Sequence, residues 1–191
     1  MHGLGNDYIY IDCFREQMPS DLDKLAVAMS DRHFGVGGDG LVLIMRSRVA
    51  DCRMRMFNAD GSEGKMCGNA IRCVGRYVYE HGYVSDSEIK VETASGVKKL
   101  RLEIVGTDVV SVTVDMGEAR FGFVDEEITA GGVTFRGVSV DVGNPHLVIP
   151  VENKFWHGDE FLRLGPLFER HERFPDRVNT EFVEQVGKKH L

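Results

Sequence analysis

The segment NADGSEGKMCGNAIRC, running from Asn58 to Cys73, places one thiol, Cys67, between a turn-rich stretch and the start of a helical pattern. A sulfur there meets unpaired backbone N–H groups and the positive end of the helix dipole. Both favour the thiolate and can bring its pKa below about 8.5. Cys67 is therefore a candidate general base or nucleophile. The same N–H groups, on Gly68, Asn69 and their neighbours, suit a substrate carboxylate, and glycine lets a ligand come close to the backbone. The plainer reading of an unpaired cysteine is a small buried apolar residue. Cys13 and Cys52 sit in strand-like runs and Cys73 on the same helical stretch as Cys67, and all three take that plainer reading. With no CxxC pair and no close histidine, the four cysteines indicate neither a zinc site nor a disulfide framework, and no metal is expected.

Asparagine usage adds a second pattern. Asn6, Asn58, Asn69, Asn144 and Asn179 are all read as lying in or beside loops of Gly, Asp or Pro type. Taken singly, each suits a turn in which the side chain caps its own backbone. As a set, neutral amides donate to a carboxylate and accept from an ammonium, which fits an amino-acid zwitterion without a fixed charge beside the thiol.

The elements that must hold these residues follow from periodicity. YIYID (Tyr8 to Asp12) reads as a strand, and DLDKLAVAMSDR as a helix with a Ser20/Asp21 start signal. After the glycine-rich HFGVGGDG come two strands, LVLIM and CRMRMFN, the first continuously apolar and the second alternating. From Asn69 the period changes: Ile71, Val74 and Val78 share one face and Gly82 supplies the stop, which predicts a helix opening just after Cys67. EIKVETASGVKKLRLEIV predicts a hairpin around Ser95 and Gly96, and DVVSVTVDM a strand closing a first domain near Met116. Strands follow in VTFRGVSVDVGNPHLVIPV, broken at Gly143, Asn144 and Pro145. DEFLRLGPLFERH reads as one helix or two short ones split at Gly165–Pro166, and VNTEFVEQV as a last strand.

Composition removes several classes. The 191 residues are 42% hydrophobic, enough for one sizeable core or two small ones. Lys plus Arg number 23 against 30 Asp plus Glu, a formal net charge of −7, and no basic run can track a phosphate backbone, so nucleic acid is not an expected partner. The start carries no signal-peptide pattern and no apolar run approaches membrane-spanning length, so the expected location is the cytoplasm, away from membranes.

MHGLGNDYIYID, DRHFGVGGDGL, FNADGSEGKMCGNAIRC, GNPH (Gly143 to His146) and HERFPDRVNTEFV, in this order and spacing, together resemble the diaminopimelate epimerase family across essentially the whole chain. The resemblance implies a cofactor-independent isomerase that interconverts LL- and meso-diaminopimelate in lysine and peptidoglycan precursor synthesis. In that family a cysteine of a CGN motif and a second in a later ACGTG-type motif face opposite sides of the substrate α-carbon, one removing a proton while the other supplies one. Cys67 matches the first. Asn6, Asn58, Asn144 and Asn179 match substrate-holding positions, and Gly68 and Asn69 the segment that holds the α-carboxylate. His146 matches a conspicuous position, either satisfied structurally by hydrogen bonds or tuning a thiol. Gly40 stands where some members carry a substrate-contacting glutamine, and Leu147 where a cysteine can occur. No GAGET or ACGTG segment precedes Leu191, so the chain reads as truncated and, alone, as inactive. The implied fold is α+β, with two pseudo-symmetric domains, each a curved mixed sheet wrapped around a central helix. They are assigned to residues 1–115 and 116–191, the second incomplete, with a homodimer possible in this family.

Other functions stay open on the residues alone. One is another racemase or isomerase of this architecture, such as proline racemase or a phenazine-pathway isomerase, since substrate choice lives in side-chain contacts. A second is a hydrolase or transferase with Cys67 as nucleophile, which needs a base such as His146 within about 2.6–3.2 Å. A third is a non-catalytic carboxylate-binding fragment.

Overall fold

The computed structural model describes residues 1–152 and 159–186. The chain divides into two compact units, Met1–Met116 and Gly117–Leu191.

The first unit opens with a two-residue hairpin, β1 (His2–Gly3) against β2 (Asn6–Asp7), whose turn residues Leu4 and Gly5 both have positive φ. A seven-stranded mixed sheet follows. Its members are β3 (Ile9–Asp12), β4 (Gly40–Met45), β5 (Cys52–Asn58), β7 (Glu88–Thr93), β8 (Gly96–Val105) and β9 (Asp108–Val114), in that order, with the short β6 (Glu63–Gly64) also paired to β5. Neighbours are antiparallel except β3–β4 and β5–β7. Each parallel pair needs a crossover, and the two crossovers contain the two helices, α1 (Leu22–Ser30) and α2 (Gly68–Glu80).

The continuous apolar run of β4 is explained by coverage on both faces. Leu41 and Leu43 pack with Ala26 of α1, whereas Val42 and Ile44 belong to the larger core around Ile71, Val74 and Val78 of α2. Helix α2 lies so close to the sheet that a Cβ on Gly75 would stand 2.7 Å from Leu100 Cδ2. Its C-terminus closes with Gly82 at φ 72°, the Gly82 N–H bonding Tyr79 O and the Tyr83 N–H bonding Val78 O. Its N-terminus opens directly after Cys67, as the spacing predicts, with Cys67 itself as the cap. Helix α1 departs from expectation: Asp21 occupies the N-cap position in a left-handed conformation (φ 48°) and makes no side-chain cap bond, so the predicted start signal works through position and not through capping.

In the second unit β10 (Arg120–Ala130), β11 (Val133–Asp141), β12 (Pro145–Pro150) and β13 (Asn179–Val183) form a mixed sheet in that order, antiparallel except for β12–β13. Helix α3 (Glu160–Glu169) is one element with Pro166 inside it, burying Leu164 and Phe168 against a core of Ile128, Leu147, Ile149 and Val178. Leu147 is fully buried there, a packing residue on β12. The fold is α+β, built of curved mixed sheets with few helices.

Candidate active site

Cys67 caps α2 with extended backbone (φ −139°, ψ 115°). Its sulfur is half-buried and sits between two partners of opposite character. The Ala70 N–H donates to it at 3.5 Å, and the Asn6 carbonyl oxygen Oδ1 lies 3.5 Å away, placed to accept from the S–H. Gly3 allows this: β1 lies against the first turn of α2, and a Cβ at Gly3 would come 3.1 Å from Asn69 O. The hairpin therefore delivers Asn6 to the sulfur.

Behind Asn6 stands a charged layer that sequence reasoning missed. Asn6 Nδ2 donates to Asp39 Oδ2 at 2.9 Å, and the Asp7 N–H donates to the same oxygen at 3.0 Å. Arg32 bridges Asp39 Oδ1 (2.9 Å) and both oxygens of Asp7 (2.7 and 3.1 Å). Its hydrogen bonds, over the opposing cost of burial, hold the Asp7 carboxyl below the usual carboxylate range. The Asp39 backbone also joins segments: its N–H donates to Asp7 O and its carbonyl accepts from the Ala59 N–H. Asn58, one residue before Ala59, thus sits on a turn tied to the Asp39 loop, its amide donating to Ser62 Oγ at 3.0 Å. The only hint of this layer in the sequence was the glycine-rich context of Asp39.

Gly68 keeps open space in front of it, with nothing nearer to a built Cβ than Met116 at 3.9 Å. The Asn69 side chain is held by Arg72, whose Nη2 donates to Asn69 Oδ1 at 2.6 Å. Charge is thus not excluded from this region as the asparagine pattern suggests; it lies one layer out, on Arg72, Arg32, Asp7 and Asp39. Tyr8 and Tyr10 complete the surroundings of the sulfur. Burial first, with added repulsion from Cys67 for Tyr8 and from Cys73 and Cys67 for Tyr10, pushes both phenols far up. Gly40 admits no side chain: a Cβ would stand 2.1 Å from Phe57 O and 2.8 Å from the Tyr8 ring.

The remaining candidates gather in the second unit. His146 and Asn179 are register partners at the starts of β12 and β13, and Asn144 lies in the preceding turn. Asn179 Nδ2 donates to Pro145 O at 3.0 Å, and His146 Nδ1 lies 2.6 Å from Glu181 Oε1. Asn6, Asn58, Asn69 and Asn179 lie beside loops as read, but each within the end of a strand or helix: β2, β5, α2 and β13. The other cysteines differ from Cys67 in environment. Burial pushes the Cys52 thiol up to about 12, and burial with the Asp12 charge raises Cys13. Among the described residues no group of three His, Cys, Asp or Glu side chains is placed to hold a metal ion, and no helix is long and apolar enough to cross a membrane.

Residues 1–122 match the family model described as "Diaminopimelate epimerase". A diaminopimelate epimerase of Methanococcus maripaludis is 48% identical over 98% of this chain and 71% of its own length. That of Agathobacter rectalis is 45% identical over 98% of this chain and 72% of its own length. Among solved structures, a hydroxyproline epimerase from Agrobacterium vitis with bound trans-4-hydroxy-L-proline superposes with a TM-score of 0.65 at 16% identity. The match covers 88% of this chain and 57% of that one, a likeness of fold.

Proposed function

As the chain belongs to the diaminopimelate epimerase family, we propose that it carries half of the acid–base machinery that inverts the α-carbon of diaminopimelate between the LL and meso forms. The observation that carries this reading is the placement of the Cys67 sulfur, half-exposed at the cap of α2 with one hydrogen-bond donor and one acceptor on it. A thiol so placed can both hold and release a proton. Inversion needs a proton removed from one face and another delivered to the opposite face, and a single base held on one face tends to return the original isomer. Cys67 serves one face. The opposing thiol is that of the ACGTG-type motif, which these 191 residues do not include; Cys13 and Cys52 are held as thiols by burial.

The remaining roles follow from position. The backbone N–H groups of Gly68 and Asn69 at the start of α2 hold the α-carboxylate, where the helix dipole stabilises the charge that develops as the α-proton leaves. Asn6 and Asn58 on the first unit match the family's substrate-holding amides, as do Asn144 and Asn179 on the second, where Glu181 orients His146. Acidification by these hydrogen bonds replaces an organic electron sink, so the reaction runs without cofactor. The product serves lysine and peptidoglycan precursor synthesis in the cytoplasm.

The test uses the natural protein in heavy water with LL-diaminopimelate. Solvent deuterium should enter at the α-carbon along with inversion, and Cys67→Ala should lose both by at least about three orders of magnitude. Retention of exchange and inversion in Cys67→Ala would overturn the assignment.

A further inference from the structure

The amide of Asn6 has two ends, and which end meets the sulfur decides what the sulfur is. The carbonyl end accepts from a thiol and opposes a thiolate; the NH2 end would donate to a thiolate and favour it. In this structure the carbonyl faces Cys67 at 3.5 Å, and the NH2 faces Asp39 at 2.9 Å. The reverse orientation would set the amide oxygen against a carboxylate oxygen that can only accept. It would also leave Asp39 Oδ2 with the Asp7 N–H alone. Arg32, bonded to Asp39 Oδ1 and to both oxygens of Asp7, holds that carboxylate in place.

We propose that Asp39 is a positioning residue that sets the proton state of Cys67 through Asn6. By fixing the amide with its carbonyl toward the sulfur, it keeps Cys67 as the thiol in the resting protein, against the pull of the Ala70 N–H toward the thiolate. The inference rests on the reading of Cys67 as an acid–base group, yet it makes a claim about the resting thiol that needs no turnover to test.

Four ionisable neighbours stand around Cys67 and Asn6 within the first unit, two phenols and two carboxylates, with two arginines beside them. Tyr8 and Tyr10 stay neutral far above the thiol range because of burial. Asp7, Asp39 and Arg32 form the layer behind Asn6, and Arg72 is engaged with Asn69 on the first turns of α2. The Tyr8 hydroxyl interacts with both Asn6 and Cys67 and is unchanged in the variants below, so the Asn6 amide is the contact that the Asp39 substitutions alter.

The experiment follows iodoacetamide alkylation of the Cys67 peptide in the full chain by mass spectrometry across pH, with the Cys13 peptide read in the same samples as control. Asp39→Ala and the isosteric Asp39→Asn, whose amide can donate to a flipped Asn6, should both lower the pH midpoint. Alkylation at pH 7 should then be about three- to tenfold faster while the high-pH plateau stays in place. In an Asn6→Ala background the same substitutions should move the midpoint no further. Unshifted or raised midpoints in both variants, or a shift that persists undiminished without Asn6, would overturn the proposal. A rise in plateau without a midpoint shift indicates loosened structure and also counts against it. Failure of the acid–base reading itself shows elsewhere, in turnover retained by Cys67→Ala.

Discussion

Four thiols share one chemistry in this chain and differ in their surroundings. Cys52 is fully enclosed and Cys13 sits beside Asp12, whereas Cys67 has a donor on one side and an oriented acceptor on the other. The same logic governs Asp12 at the other end of β3. Burial works against its charge, but the Tyr83 hydroxyl (2.5 Å), the Phe14 N–H (2.9 Å) and the Tyr77 hydroxyl (3.1 Å) outweigh it and leave the carboxyl below its usual range. A carboxylate depressed in the folded state stabilises fully above its unfolded value of about 3.9 and loses that contribution as pH falls through the folded value. Asp12→Asn should therefore weaken the protein at neutral pH, with the gap to wild type closing as pH falls through that interval. Urea denaturation at stepped pH measures this, and a gap that stays constant down to pH 2 would refute it.

At the scale of elements, the helix termini carry the clearest test. Gly82 ends α2 at φ 72°, and a Cβ there would meet nothing within 4 Å, so Gly82→Ala isolates the backbone cost. Stability should fall by about 1–2 kcal/mol in denaturant unfolding, with the m-value unchanged. Elements of this kind were legible because their signals are local: CRMRMFN alternates and became β5 to the residue, and Gly82 stops a helix wherever it follows one. What was not legible depended on partners distant in sequence. β10 was missed because most of its side chains face solvent and its register shifts around Phe123, with Asp125 at φ 56°, which blurs any period of two. The hairpin β1–β2 is too short to carry a pattern, and it brings the acceptor to Cys67. The candidate site was legible in the same measure: Cys67, Gly68 and Asn69 are picked out by the local pattern of one segment. Arg32 and Asp39 act only once β2, the loop before β4 and the turn after β5 have met.

The whole chain is two compact units, with residues 115–119 carrying no regular element between β9 and β10. If these units are folding domains, a glutamate-specific protease should cut first after the exposed Glu118 and leave an N-terminal fragment that holds all four thiols and keeps its helical signal. Early cutting within β7–β9 instead would contradict that. In the first unit, α2 buries Ala70, Ile71, Val74, Gly75 and Val78 and is pressed onto Leu100. The Cys67 sulfur is thus mounted on a helix packed into the core of its own unit. In the reaction proposed above, the substrate comes to that fixed point, so the stereochemical reference frame is laid down when this unit folds.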